Sequence, residues 1–203
     1  MWERVLTLLH GLQRIPAMPH IHLDTDLPGI RGLFAFRPET AAPMSMLAQV
    51  LLHDQNTLTR AEREMIATYV SHQNACRYCE TSHEALTVHH LNGDEELVRQ
   101  VKANFETALI PEKLKALIAI AGKVQQSGKN VLPGDIERAR RSGATDREIH
   151  DTVLIAAAFC MYNRYVDGLA TFAPSDSESY RERAAGVAVD GYMKLVRDIG
   201  ASK

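Results

Sequence analysis

Helix start and stop signals recur along most of this chain, and they constrain its fold more than any other feature. Thr59 precedes Glu62 by three residues, and Thr145 precedes Glu148 by the same interval, which is the capping-box pattern of a helix N-terminus. Asn92-Gly93 is typical of a helix stop. No segment shows sustained alternation of apolar and polar residues, and no hairpin turn separates β-branched runs. The sequence therefore predicts an all-α protein.

These signals divide the chain into helices and one irregular region. Five prolines, together with Gly29 and Gly32, interrupt any helical period across residues 14–43, so we expect a loop-rich N-terminal arm there. At 203 residues the chain has the length of one domain. We expect a single domain over residues 1–203, with its core at 44–172 and a C-terminal helix at 176–199. The predicted helices span residues 1–12, 44–53, 59–73, 76–91, 94–104, 111–124, 133–141, 145–172 and 176–199.

The two helices that open with a capping box also resemble each other. The segment that follows Thr145 carries Tyr162 and Tyr165 at the offsets where the segment that follows Thr59 carries Cys76 and Cys79. Two interpretations stay open: an internal duplication in which one half kept the thiols, or two ordinary capped helices.

Charge and hydropathy exclude several functional classes. Lys and Arg number 23 against 25 Asp and Glu, so no basic excess favours nucleic acid. The longest apolar run, Val153 to Tyr162, is shorter than the roughly 20 residues that a membrane helix needs. The first twenty residues mix charged and apolar groups, unlike a signal peptide. We therefore expect a cytoplasmic protein that binds neither nucleic acid nor membrane.

Cys76, Cys79, His83 and Glu64 form the group with the most chemical potential. Two cysteines separated by two residues can close a disulfide within one helical turn, and in the cytosol such a pair more often serves catalysis or metal binding than structure. A histidine four residues after the second cysteine lies on nearly the same helix face, where it can accept a thiol proton. A carboxylate can hold that histidine in one tautomer.

The spacing of these residues predicts how they meet. On one unbroken helix, Glu64 and Cys76 lie about 18 Å apart, so the chain must turn between them, and Asn74-Ala75 is the natural place. In an antiparallel pair, Glu64 lies about 15 Å before the turn and His83 about 12 Å after it, so the two come level. The helix that starts near Cys76 lowers the pKa of a nearby thiol through its dipole.

This arrangement predicts a redox cycle. A Cys79 thiolate assisted by His83 attacks the O–O bond of a peroxide and becomes a sulfenic acid, and Cys76 then condenses with it to give a disulfide and water. An external dithiol must reduce that disulfide.

The pattern Glu64…Cys76-Arg-Tyr-Cys79…His83 resembles the alkylhydroperoxidase D (AhpD) core within the carboxymuconolactone decarboxylase-like superfamily. The segments 28–40, 58–71 and 163–168 resemble its peroxidase-related branch, so the resemblance covers roughly residues 14–195. It implies an AhpD-like helical bundle with an internal repeat, homo-oligomerisation and hydroperoxide reduction.

The resemblance also assigns roles to the residues that match. Cys79 becomes the sulfenic acid, Cys76 donates a proton and resolves it, and His83 and Glu64 form a proton relay. A lipoyl-bearing protein or another dithiol is the implied reductant, and no cofactor or metal is expected. Some members place a histidine just before the second cysteine, where this chain has Tyr78.

Other interpretations of the same residues stay open. The chain is alternatively a general dithiol–disulfide oxidoreductase, although it lacks a thioredoxin-like βαβ pattern. It is alternatively a zinc-binding helical module, with His72 as a fourth ligand beside Cys76, Cys79 and His83. Glu64 alternatively forms a surface ion pair. Lactone decarboxylation is disfavoured, because that branch of the superfamily uses no CxxC pair.

Overall fold

A computed structural model of the chain describes residues 18–201, and within them it contains helices and no β-strand. The helices are α1 (Ile30–Phe36), α2 (Pro38–Ala48), α3 (Arg60–Gln73), α4 (Arg77–His90), α5 (Glu95–Asn104), α6 (Glu112–Gln126), α7 (Pro133–Arg141), α8 (Asp146–Gly168), α9 (Glu178–Asp190) and α10 (Met193–Ala201). A π-helical turn, Gln49–His53, continues α2, and a 3₁₀ turn, Gly128–Asn130, follows α6. The predicted all-α class is confirmed.

The capping signals are confirmed where they are strongest. Thr59 and Glu62 form a complete capping box at the start of α3, and Thr145 and Glu148 form another at the start of α8. The predicted helices from 59 to 141 agree with α3 to α7 to within a few residues. The helix predicted for residues 1–12 lies outside the described residues.

The predicted loop-rich arm at 14–43 is wrong in its second half, which contains α1 and most of α2. Pro38 occupies the first turn of α2, where a proline has no hydrogen bond to lose and already has a helical φ. Pro43 lies inside the same helix, which continues past it with Ser45 and Ala48 buried. The number of prolines overestimated how much of this region is loop, because Pro38 starts a helix instead of interrupting one.

The C-terminal predictions also need correction. The helix predicted to end near Phe172 ends at Gly168, and the single helix predicted at 176–199 is two helices. The break lies at Gly191, whose φ of +72° is in the left-handed region that favours glycine. Tyr192 follows Gly191 directly, so the direction of the chain at this break sets the position of the Tyr192 side chain.

The core is built around α3, which packs against α4, α6 and α8. Apolar side chains of these helices are buried against one another, each contributing about 1.5–3 kcal/mol to folding. The largest fully buried ones include Ile66, Val70, Leu117, Ile118, Ile155 and Phe159. Helix α9 covers the other side of α4, and α10 packs on α2.

The turn predicted between α3 and α4 is confirmed at Asn74 and Ala75. Ala75 has a φ of +55°, and the Cys76 amide donates to the Ser71 carbonyl over 3.1 Å. Asn163 of α8 fixes this turn, since it accepts from Asn74 Nδ2 at 2.7 Å. The two helices therefore run back along each other from a well-defined corner. No helix between residues 18 and 201 combines the length and apolar character that a membrane span requires.

Candidate active site

The two cysteines of the CxxC pair lie at the start of α4. Cys76 is the N-cap residue and is fully buried (0% exposed), while Cys79 lies in the first turn and is 4% exposed. Both are free thiols. The Cys76 thiol hydrogen-bonds to Cys79, and this bond together with burial raises the pKa of the Cys76 thiol. The helix dipole therefore does not dominate at Cys76, which keeps its proton.

Glu64 and His83 meet across the α3–α4 pair, as the spacing predicted. His83 Nδ1 lies 2.7 Å from Glu64 Oε2, and Glu64 is only 1% exposed. The alternative that Glu64 forms a surface ion pair is therefore wrong. The His83 ring also packs edge-on against Phe159, with centroids 4.5 Å apart. A buried carboxylate that accepts from Nδ1–H leaves the other ring nitrogen, Nε2, to exchange a proton.

Tyr192 is a third member of this hydrogen-bonded group, which the sequence did not reveal. Its hydroxyl donates to Glu64 Oε1 over 2.5 Å and lies 3.4 Å from His83 Nδ1. Burial and the neighbouring Glu64 raise the pKa of Tyr192, so the phenol keeps its proton and remains a donor. Both oxygens of the Glu64 carboxylate are thus engaged.

A contact between the C-terminal segment and the π-helical turn positions Tyr192. Gln49 Oε1 accepts from the Tyr192 amide at 2.8 Å. A Cβ on Gly191 would lie 2.3 Å from the same Gln49 oxygen, so this close approach requires glycine as well as its positive φ. A glycine inside a predicted helix was the only local signal of this arrangement.

A cavity of about 270 Å³ opens onto this group. Cys79, Ser82 and His83 of α4 and Tyr192 contribute to its wall, so of the two thiols it is Cys79 that faces it. Much of the rest is apolar. The apolar wall residues are Ile30, Phe34, Met44, Ala48, Phe159, Val187 and Leu195.

Tyr78, between the two cysteines, is buried against the backbone of the N-terminal segment. Gly29 has a φ of +56°, and a Cβ there would lie 2.2 Å from the Tyr78 ring. Tyr180 packs at a tilt, with centroids 6.2 Å apart, and the Tyr78 hydroxyl accepts from Arg183 Nη1 at 3.3 Å. Where some AhpD-like proteins have a histidine, this chain therefore has a packed ring that reaches the cavity wall.

The residues proposed as a zinc set are engaged elsewhere. His83 Nδ1 is held by Glu64, and His72 Nδ1 lies 3.0 Å from Glu80. Within residues 18–201, no group of three or more His, Cys, Asp or Glu side chains is arranged to hold a metal. The zinc alternative therefore receives no support.

Comparison with known proteins agrees with this geometry. Residues 38–103 match the carboxymuconolactone decarboxylase family, a range that contains Glu64, both cysteines and His83. The backbone is similar to an alkylhydroperoxidase AhpD core, an uncharacterized peroxidase-related protein from Ralstonia eutropha JMP134. That comparison gives a TM-score of 0.69 and 24% identity over 88% of this chain and 86% of the other. The chain has an AhpD-like fold, and its segment 38–103 matches the carboxymuconolactone decarboxylase family.

A second solved structure has the same AhpD-like fold. An uncharacterized peroxidase-related protein from Silicibacter sp. TM1040 is similar with a TM-score of 0.70 and 24% identity, over 84% of this chain and 98% of the other. No curated protein matches the chain. Tyr192 lies outside the range of the family match, in the C-terminal part of this AhpD-like fold.

Proposed function

We propose that this protein is a thiol peroxidase that reduces alkyl hydroperoxides through a Cys76–Cys79 dithiol/disulfide cycle. The observation that carries the proposal is the position of Cys79, in the wall of a small cavity beside a histidine whose Nδ1 is held by a buried carboxylate. The relationship to peroxidase-related proteins of the same fold also supports it.

In the first step Cys79 loses its proton to Nε2 of His83, and Glu64 stabilises the imidazolium that forms. The Cys79 thiolate attacks the terminal oxygen of the hydroperoxide, so an S–O bond forms as the O–O bond breaks. The leaving alkoxide takes a proton from His83 and departs as an alcohol. Cys79 is then a sulfenic acid, and the hydroperoxide has been reduced by two electrons.

In the second step the buried Cys76 thiol attacks Cys79. A disulfide forms, the S–O bond breaks, and the hydroxyl leaves as water with the proton that Cys76 retained. The raised pKa of Cys76 suits this order, because the resolving thiol still carries its proton when Cys79 reacts. An external dithiol returns both cysteines to thiols and is itself oxidised to a disulfide.

Burial of the thiols favours a small substrate over a protein disulfide. Cys76 has no exposed surface, and Cys79 is reached through the cavity, so a disulfide within a folded partner has poor access to either sulfur. This disfavours a general dithiol–disulfide oxidoreductase. A dithiol on a long, narrow side chain, such as a lipoyl group, can enter the cavity and therefore suits the reducing step.

Turnover tests the proposal. Purified protein is supplied with cumene hydroperoxide and dihydrolipoamide, and hydroperoxide loss is followed over time. We expect catalytic consumption that Cys79→Ser abolishes and that Cys160→Ser preserves, since Cys160 lies outside the cavity. Consumption by the wild type no faster than by Cys79→Ser would overturn the proposal.

The proposal also covers the whole molecule. It includes a single AhpD-like domain and a homo-oligomer, which follow the resemblance, and a cytoplasmic location, which follows the charge and hydropathy of the sequence. Light scattering on the purified protein measures the oligomeric state, and a monomer at micromolar concentration contradicts that part.

A further inference from the structure

Two arginines contribute to the cavity wall. Arg31 comes from α1 and Arg183 from α9, and both are partly buried. Within residues 18–201, neither guanidinium has a carboxylate within 4 Å, and the hydrogen bond from Arg183 goes to the Tyr78 hydroxyl. Two positive charges that face one apolar space repel each other. An anion between them relieves that repulsion.

The other charged groups in the wall do not cancel this pair. Lys194 lies 3.4 Å from Asp198, so the charges of these two wall residues cancel, and Asp190, 4.0 Å from Lys194, lies outside the wall. Asp198 also attracts Arg31, and Glu182, an exposed residue of the wall, offsets at most one of the two arginine charges. The positive charge of Arg31 and Arg183 therefore remains available to a ligand.

Ser82 supplies an independent sign that the cavity holds a ligand. Its hydroxyl is in the wall, one helical turn after Cys79, and the side chain is only 5% exposed. Among the described residues, Ser82 Oγ has no hydrogen-bond partner. Buried hydroxyls in native proteins nearly always have a hydrogen-bond partner. The Ser82 hydroxyl, one turn from Cys79, is therefore placed to bind a polar atom of the substrate.

We propose that the substrate is a hydroperoxide with a carboxylate on an apolar body, its carboxylate bound between Arg31 and Arg183 and its peroxide at Cys79 and Ser82. The apolar wall between these two polar ends takes the alkyl or aryl part. This inference rests on the proposed peroxidase function, but its binding step does not require any reaction.

Binding of a non-reactive analogue is measured first. The probe is 4-isopropylbenzoate and the control ligand is its methyl ester, which keeps the apolar body and removes the charge. We expect the wild type to bind the carboxylate about tenfold more tightly than the ester, and Arg31→Gln or Arg183→Gln to lose that preference. Arg197→Gln is the matched control, because Arg197 is an exposed arginine of α10 outside the cavity wall.

Reaction is measured next with cumene hydroperoxide and its para-carboxylate. We expect the carboxylate form to react about tenfold faster with reduced wild type, and both at similar rates with the double Arg31→Gln, Arg183→Gln variant. Arg183→Lys keeps the charge and the fold if Arg183→Gln does not fold, and should retain part of the preference.

The outcomes separate the two proposals. Equal binding of acid and ester by the wild type overturns the carboxylate site, even if both peroxides react. Selective binding of the carboxylate that depends on both arginines supports the site, even if neither peroxide reacts, in which case the peroxidase function fails instead.

Discussion

The hydroxyl of Tyr192 donates to Glu64 Oε1 over 2.5 Å, which joins the C-terminal segment to the centre of the site. The same carboxylate holds His83 Nδ1 through its other oxygen. A group 128 residues away along the chain therefore helps to fix the histidine that lines the same cavity as Cys79. We regard Tyr192 as a positioning residue, since it acts through Glu64 and His83.

Replacing Tyr192 with phenylalanine should slow the reaction with hydroperoxide. The Glu64 carboxylate loses a strong donor, so His83 is held less firmly, and we expect a fall of about tenfold or more. Stopped-flow measurement across pH 5 to 9 should also show that the half-maximal pH moves. A packing defect alone would lower the rate equally at every pH.

Tyr69→Phe is the matched control for this variant. Tyr69 lies on α3 outside the cavity wall and packs against Phe105, so this variant loses a hydroxyl away from the cavity. An unchanged rate and pH profile in Tyr192→Phe would contradict the positioning role.

Gly191→Ala should damage both stability and activity. The residue has a φ of +72°, and the added Cβ meets Gln49 Oε1, which holds the Tyr192 amide. We expect a loss of about 1–3 kcal/mol in the free energy of unfolding and slower reaction with peroxide. Urea denaturation and stopped-flow kinetics measure the two effects. Gly134→Ala serves as control, because a Cβ there has no atom within 4 Å, and wild-type stability in Gly191→Ala would refute the account of this turn.

Ser82→Ala should distinguish a role of Ser82 in contacting the substrate from a role in folding. The buried Ser82 hydroxyl has no partner in the part of the chain that the structure describes, so its removal costs the folded state little and the melting temperature should stay or rise. The rate with hydroperoxide should nevertheless fall by about three- to tenfold, because the substrate loses a hydrogen bond. Thr152→Val is the comparison, since Thr152 Oγ1 is also buried without a partner among the described residues and lies outside the cavity wall. Equal rates for Ser82→Ala and wild type would show that Ser82 contacts no reacting group.

The raised pKa of Tyr192 predicts a stability loss at high pH. In the unfolded chain this phenol titrates at about pH 10, whereas burial and Glu64 keep it protonated in the folded protein. The contribution of the protonated Tyr192 to the free energy of unfolding is complete below pH 10. It is lost as the pH rises toward the pKa of Tyr192 in the folded protein. The wild-type free energy of unfolding should fall more steeply than that of Tyr192→Phe, by up to about 1.4 kcal/mol per pH unit. Urea unfolding at pH 9, 10 and 11 measures both slopes, and parallel slopes contradict the assignment.

The part of the site formed by α3 and α4 was predictable because it is local. Glu64 and His83 lie on consecutive helices joined by only three residues, so residue spacing and helical rise alone bring them level. The capping boxes likewise depend on residues three apart. These features need no knowledge of the rest of the fold.

The remainder depends on packing between distant segments. Arg31, Arg183 and Tyr192 reach the cavity from α1, α9 and the segment before α10, and no local pattern in the sequence determines where those elements pack. The pKa of Cys76 was likewise beyond reach, because its hydrogen bond to Cys79 and its burial oppose the helix dipole. Residue spacing predicted the contact between Glu64 and His83 but not the contact of Tyr192 with Glu64.

The most direct test of the central claim follows the two sulfurs after one equivalent of cumene hydroperoxide. Reduced protein is mixed with the peroxide and quenched with dimedone, and its peptides are analysed by mass spectrometry. We expect a Cys76–Cys79 disulfide in the wild type, a trapped sulfenic acid at Cys79 in Cys76→Ser, and no oxidation at Cys76 in Cys79→Ser. Oxidation that begins at Cys76, or an unmodified Cys79 in Cys76→Ser, would contradict the account.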